Sequence, residues 1–115
     1  MSKAVLIVED DPQLGESLKT ILGLLHHEPH HVFKLKEAKE AIDNQHWDVI
    51  ISDYFLLDGT GVEVMSYAVK RKCSSTLIIS SGHDRDSIEA EMGELDQVRW
   101  MSKPYTIDDL KSLID

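Results

Sequence analysis

At 115 residues, 42% of them hydrophobic, the chain has the size and composition of one domain, residues 1–115, with a single core that needs no disulfide or structural metal. Its formal net charge of -9 argues against a chain that holds a phosphate backbone or an anionic membrane, because both call for clustered Lys and Arg, so neither nucleic acid nor membrane is expected as a direct partner. Cys73 has no second cysteine to pair with, and neither a charged-then-apolar leader nor a long apolar span is present, so a soluble cytoplasmic protein is the expectation.

Ala4-Val5-Leu6-Ile7-Val8 is a short, unbroken apolar run rich in β-branched residues, which predicts a strand buried on both faces. Leu14, Leu18, Ile21, Leu22 and Leu25 then share one helical face, with Asp11 placed to cap and Pro12 at the first helical position, so a helix is predicted from Pro12 to His26. The doublets His26-His27 and His30-His31 around Pro29 have the makings of a transition-metal site. The plainer reading is a helix end and a turn, where solvated histidines suit the negative end of the helix dipole.

A second strand at His31-Val32-Phe33 and a second helix with Ala38, Ala41 and Ile42 are placed by the alternation rather than by strong patterns. The apolar run returns at Asp48-Val49-Ile50-Ile51-Ser52 and at Thr76-Leu77-Ile78-Ile79-Ser80, and more weakly at Val98-Arg99-Trp100-Met101. Between and after these strands, Val62, Met65 and Val69, then Ile88, Met92 and Leu95, mark two more helices. Thr106 with Asp109 resembles a capping box for a last helix running to Asp115. Strands alternating with helices predict a parallel sheet covered on both faces, a three-layer α/β class.

Glu9, Asp10 and Asp11 follow the first strand directly and Asp53 follows the third, so all stand at the carboxyl edge where open α/β sheets bind ligands. In a five-stranded order 2-1-3-4-5, strands one and three are neighbours, and Glu9 or Asp10 would face Asp53 across the switch point. Two carboxylates about 4 Å apart repel by roughly 4 kcal/mol at an effective dielectric near 20, so a proton or a cation is required. The all-oxygen donor set selects a hard ion, and Mg2+ is the expected one. The plainer reading, that acids after strands cap helices, is kept for Asp11. Ser81 before Gly82 and Lys103 before Pro104 end the fourth and fifth strands on the same edge. A hydroxyl and an ammonium beside a metal-bound carboxylate make a cradle for a phosphoryl group, with Asp53 as nucleophile.

Val8-Glu9-Asp10-Asp11, the run Asp53-Tyr54-Phe55-Leu56-Leu57-Asp58-Gly59-Thr60-Gly61, Ser81-Gly82 and Lys103-Pro104, in this order and spacing, resemble the receiver domain of two-component response regulators over essentially the whole chain. The resemblance implies a (βα)5 flavodoxin-like fold. It implies that Asp53 takes a phosphoryl group from a phosphohistidine on a sensor histidine kinase or phosphotransfer protein, as a phosphoacceptor rather than an enzyme turning over an external substrate. Asp10 would bind Mg2+ directly, Glu9 directly or through water, and Phe55 through its backbone carbonyl. The peptide before Pro104 is usually cis in similar proteins, which would aim Lys103 at the site.

The chain departs from the usual pattern at Leu57, where proline is common, and a less rigid loop is expected there. Phe55 and His83 hold positions that, in relatives, influence how fast water removes the phosphate, and bulky Phe55 is expected to slow it. Trp100 stands where similar receivers carry an aromatic that turns inward as Ser81 follows the phosphate. The expected output face, around the fourth helix, fifth strand and fifth helix, is acidic: Asp84, Asp86, Glu89, Glu91, Glu94 and Asp96 against Arg85 and Arg99. It is either a solvated face or an interface to a basic output domain or partner protein, or to a second copy in a homodimer.

The residues also bear on three rival readings. A dehalogenase-like phosphatase needs an aspartate two residues after the nucleophile, and Phe55 is there instead. A flavodoxin-like cofactor binder needs a Gly- or Ser/Thr-rich phosphate loop after the first strand, which is absent. A pseudo-receiver that switches through protein contact alone is the remaining alternative. The short last helix is expected either in a piece of a longer regulator or in a short stand-alone receiver.

Overall fold

The computed structural model describes residues 2–82, 98–103 and 106–114. In chain order the elements are β1 (Ala4–Val8), α1 (Pro12–Leu24), β2 (Glu28–Val32), α2 (Leu35–Asn44), β3 (Val49–Asp53), β4 (Phe55–Leu56), β5 (Gly59–Thr60), α3 (Gly61–Lys70), β6 (Thr76–Ser81), β7 (Arg99–Ser102) and α4 (Ile107–Ile114). Five of the strands form a parallel sheet in the order β2-β1-β3-β6-β7. This is the expected 2-1-3-4-5 order once β4 and β5, a separate antiparallel pair, are set aside.

The unbroken apolar runs are explained by burial on both sides. Val5, Ile7, Val49, Ile51, Ile78 and Met101 pack with Leu18 and Leu22 of α1 and Leu110 and Ile114 of α4. Their neighbours in sequence, Leu6, Val8, Ile50, Leu77 and Ile79, join Leu35, Ala38 and Ile42 of α2 and Val64, Met65 and Ala68 of α3 in a second cluster. Successive strand residues thus feed opposite layers, as a pleated strand requires. Each such side chain, fully buried, contributes roughly 1.5–3 kcal/mol, so the strands are fixed along their length and their carboxyl ends become rigid mounting points.

Helix ends follow local chemistry. Asp11 caps α1 by accepting from Gln13 N and Leu14 N, with Pro12 at the first position, as expected. The helix stops at Leu24, two residues before the predicted His26, because His26 takes a left-handed conformation (φ 66°). His26 N then donates to Gly23 O and His27 N to Leu22 O, which satisfies carbonyls at the helix end. Lys72 (φ 57°) ends α3 in the same way, with Lys72 N donating to Val69 O and Cys73 N to Ala68 O. At α4 the expected capping box is reciprocal: Thr106 N donates to an Asp109 carboxylate oxygen and Asp109 N to Thr106 Oγ1.

One local reading is corrected. His30 and His31 lie in β2, which starts at Glu28 rather than His31, and not in a turn. Pro29 sits within this strand, which the sheet tolerates because β2 is its edge. The expected helix with Ile88, Met92 and Leu95, the acids from Asp84 to Asp96, His83 and the Pro104 peptide lie outside the described residues.

Candidate functional site

β1 and β3 run side by side with Val8 opposite Ser52, so the residues that follow Val8 meet Asp53 at the carboxyl edge of the sheet. There one carboxylate oxygen from each of Glu9, Asp10 and Asp53 lies within 4.8 Å of the others. Glu9 is almost fully buried, Asp10 and Asp53 partly so. Lys103, immediately after β7, reaches into the cluster, its Nζ 3.0 Å from Asp53 Oδ1 and 3.6 Å from Glu9 Oε1. Its backbone N–H donates to Ser81 O, tying the two strand ends together. Ser81 itself closes β6, buried, one position beyond Ser80, which stands opposite Asp53 in the register.

The electrostatics are those of a site short of positive charge. Burial and then the charge of Asp53 push the Glu9 carboxyl from 4.5 up to about 7, against the pull of Lys103 and of the Asp11 N–H. Burial alone would lower the Lys103 ammonium, but the hydrogen bond and charge of Asp53, together with Glu9, outweigh it and raise its pKa. An all-oxygen donor set of three converging carboxylates, still under-compensated with one ammonium in place, fits a hard divalent cation.

Asp53 is held from several directions. Its Oδ1 accepts from Lys103 Nζ and from the N–H of Tyr54 at 2.9 Å, and its backbone carbonyl accepts from Ser52 Oγ at 2.9 Å. Phe55, expected to offer its carbonyl, begins the small hairpin opposite Thr60; its ring is half-exposed and meets the Tyr54 ring edge-on at 4.7 Å. The structure therefore gathers Glu9, Asp10, Asp53 and Lys103 at one point and sets Ser81 and Phe55 on the strands and hairpin beside it.

Three contributors were not anticipated. Gly61, at the start of α3, lies so close to the Asp53 carbonyl that a Cβ there would stand 2.5 Å from the oxygen, and its N–H donates to Tyr54 O at 2.7 Å. Buried Ser52 supplies the hydroxyl that fixes the Asp53 carbonyl. His31 Nε2 donates to the Glu9 backbone carbonyl at 2.8 Å, and its ring fills the space that a side chain at Gly15 would need. The available signal was Gly15 itself, since a glycine within an otherwise regular helix costs about 1 kcal/mol and calls for a packing reason.

Comparison with known proteins identifies the family and the fold. Residues 5–115 match the family model described as the response regulator receiver domain. The chain is 28% identical over 112 residues to the response regulator protein PilR of Pseudomonas aeruginosa, covering 95% of this chain and 24% of that protein. It is 28% identical over 102 residues to the transcriptional regulatory protein LytR of Staphylococcus aureus, covering 87% of this chain and 41% of the relative. The chain thus spans less than half the length of these curated relatives. Among solved structures, a CheY-like receiver domain from Methylobacillus flagellatus superposes with a TM-score of 0.87 at 23% identity over the whole of both chains. The receiver domain of a Pseudomonas aeruginosa sensor histidine kinase, with magnesium ion coordinated in its active site cleft, gives 0.85 at 17% identity, covering 99% of this chain and 95% of that one. With the family model spanning nearly every residue and the fold shared, the chain belongs to the response regulator receiver domains, whose general function is phosphorylation-based signalling in two-component systems.

Proposed function

We propose that Asp53 is the phosphoacceptor of this receiver, in a Mg2+-dependent site made by Glu9, Asp10, Asp53 and the Phe55 carbonyl. The observation that carries this reading is the convergence of three carboxylates with Lys103 at the carboxyl edge of β1 and β3. Mg2+, when bound, supplies charge neutralisation at the phosphoryl oxygens. Both donors from described residues reach Asp53 Oδ1, so attack is assigned to Oδ2. An oxygen–phosphorus bond forms there as the phosphorus–nitrogen bond of a donor phosphohistidine breaks, and the imidazole leaves with the electron pair. Lys103 then follows the charge onto the phosphoryl group, and Ser81 donates a hydrogen bond to it.

The donor is a sensor histidine kinase or a phosphotransfer protein. Residues 1–115 act as one receiver unit in the cytoplasm, as a phosphoacceptor with no external substrate. Among the described residues no helix is long and apolar enough to cross a membrane. The greater length of PilR and LytR supports an output region or partner that reads the phosphorylated state, with homodimerisation through the face of the expected fourth helix, β7 and α4 as one route. No observation favours the phosphorylation-independent reading.

The test is intact mass after incubation with a small phosphodonor, with and without Mg2+, for wild type and Asp53→Asn. A single phosphoryl adduct is expected only in the wild type with Mg2+. An adduct that persists in Asp53→Asn overturns the assignment.

A further inference from the structure

The helix α2 starts without help from its own cap. Lys34 holds the N-cap position in extended geometry (φ -137°, ψ 159°) yet makes no side-chain hydrogen bond there. The first two amides of the helix donate instead to a residue more than twenty positions away: Leu35 N to Asp58 Oδ1 at 2.7 Å and Lys36 N to Asp58 Oδ2 at 3.1 Å. Slight burial works to raise the pKa of this carboxyl, but the two amides hold it below its ordinary value. Asp58 is thus the cap of α2, delivered from elsewhere in the fold.

Asp58 also sits in the two-residue turn, Leu57-Asp58, that joins β4 to β5. That hairpin has only two residue pairs, Phe55 with Thr60 and Leu56 with Gly59, and a ladder so short is marginal unless something else holds it. Leu57 is 75% exposed and contributes little packing. The turn is instead pressed onto α2: a Cβ at Gly59 would stand 2.6 Å from a Leu35 methyl, and Leu56 is buried in the cluster that includes Leu35. The looseness expected from the missing proline is therefore countered by an external tether.

We propose that Asp58 is a positioning residue for the metal site: by clamping the β4–β5 turn to the first turn of α2, it fixes the backbone of Phe55, whose carbonyl is assigned to Mg2+. This rests on the reading of the site given above. The link runs from α2 through Asp58 and the Phe55–Thr60 pair to the residue two positions after Asp53. A tether of this kind lowers the ordering cost of ligand binding without touching the ligand.

The effect on the loop and the effect on the helix are separable. In an Asp58→Ala background, Lys34→Ser gives α2 a cap of its own but leaves the turn untied, whereas Leu57→Pro stiffens the turn and leaves α2 uncapped. Mg2+ affinity is read by calorimetry on the unphosphorylated chain, and stability by the urea midpoint. Asp58→Ala is expected to weaken Mg2+ binding by at least about threefold and to lower the midpoint. Adding Leu57→Pro should restore the affinity, and adding Lys34→Ser should restore the midpoint alone. Wild-type affinity in Asp58→Ala, or recovery of affinity by Lys34→Ser, overturns the positioning role. Failure of the wild-type chain itself to bind Mg2+ overturns the metal site as well, so the two failures are told apart.

Discussion

Asp53, the proposed phosphoacceptor, illustrates how little of such a residue's setting lies in its own side chain. Its carboxylate is met by a lysine fifty residues later and by the amide of Tyr54, and its carbonyl is fixed by Ser52. Phe55, two residues on, carries a large half-exposed ring edge-on to Tyr54. A large apolar side chain at this rim restricts water, whereas a carboxamide can orient it. Phe55→Asn is accordingly expected to shorten the aspartyl-phosphate lifetime severalfold, followed by intact mass after removal of the phosphodonor. An unchanged lifetime removes Phe55 from control of hydrolysis. The charged half of the site was legible in the sequence because each member directly ends or follows an apolar strand. Ser52, His31 and Asp58 were not, because their roles arise from contacts between segments brought together only by folding.

At the scale of elements, the junction of β3 and α3 is the tightest part of the site. Gly61 is required there by close approach, since an added methyl group would meet the Asp53 carbonyl, an atom of the backbone that cannot swing aside. Gly61→Ala should cost about 1–3 kcal/mol in urea unfolding and slow phosphorylation of Asp53, because relief comes by moving the nucleophile's own peptide. A variant as stable and as quickly phosphorylated as wild type would show that the loop yields. The regular elements were readable where burial repeats along the chain, as in β1, β3, β6 and α1. The start of β2 was hidden by Pro29 and the histidines, residues that discourage a strand except at a sheet edge. The β4–β5 hairpin was hidden by its length, since two residues per strand carry no periodicity.

Across the whole molecule, α4 is tied to distant parts of the chain. Lys3 Nζ donates to Ile114 O at 2.6 Å and Arg99 to Leu113 O at 2.7 Å, placing two cations on carbonyls at the negative end of the helix. Arg99 precedes Trp100 in β7, so the strand that carries Trp100, the expected relay of the phosphate signal, is braced against this helix. Trp100 is half-buried, and it stands where similar receivers carry an aromatic that turns inward, so its surroundings are expected to change on activation. The other tryptophan, Trp47, is buried with its N–H donated to Ala41 O. Beryllofluoride with Mg2+ should therefore change the tryptophan fluorescence of wild type and of Trp47→Phe but not of Trp100→Phe. A full response in Trp100→Phe would remove it as the relay.

The edge strand β2 has a further consequence, for how copies of the chain meet. A free sheet edge is a template on which another chain can add a strand, the first step towards aggregation. Pro29, the second residue of β2, removes one N–H donor from that template, and Val32, the last residue of β2, is buried. Growth of the sheet past β2 is thereby discouraged, so the assembly expected of this receiver is one of side-chain faces, with its β2 border left as a terminus.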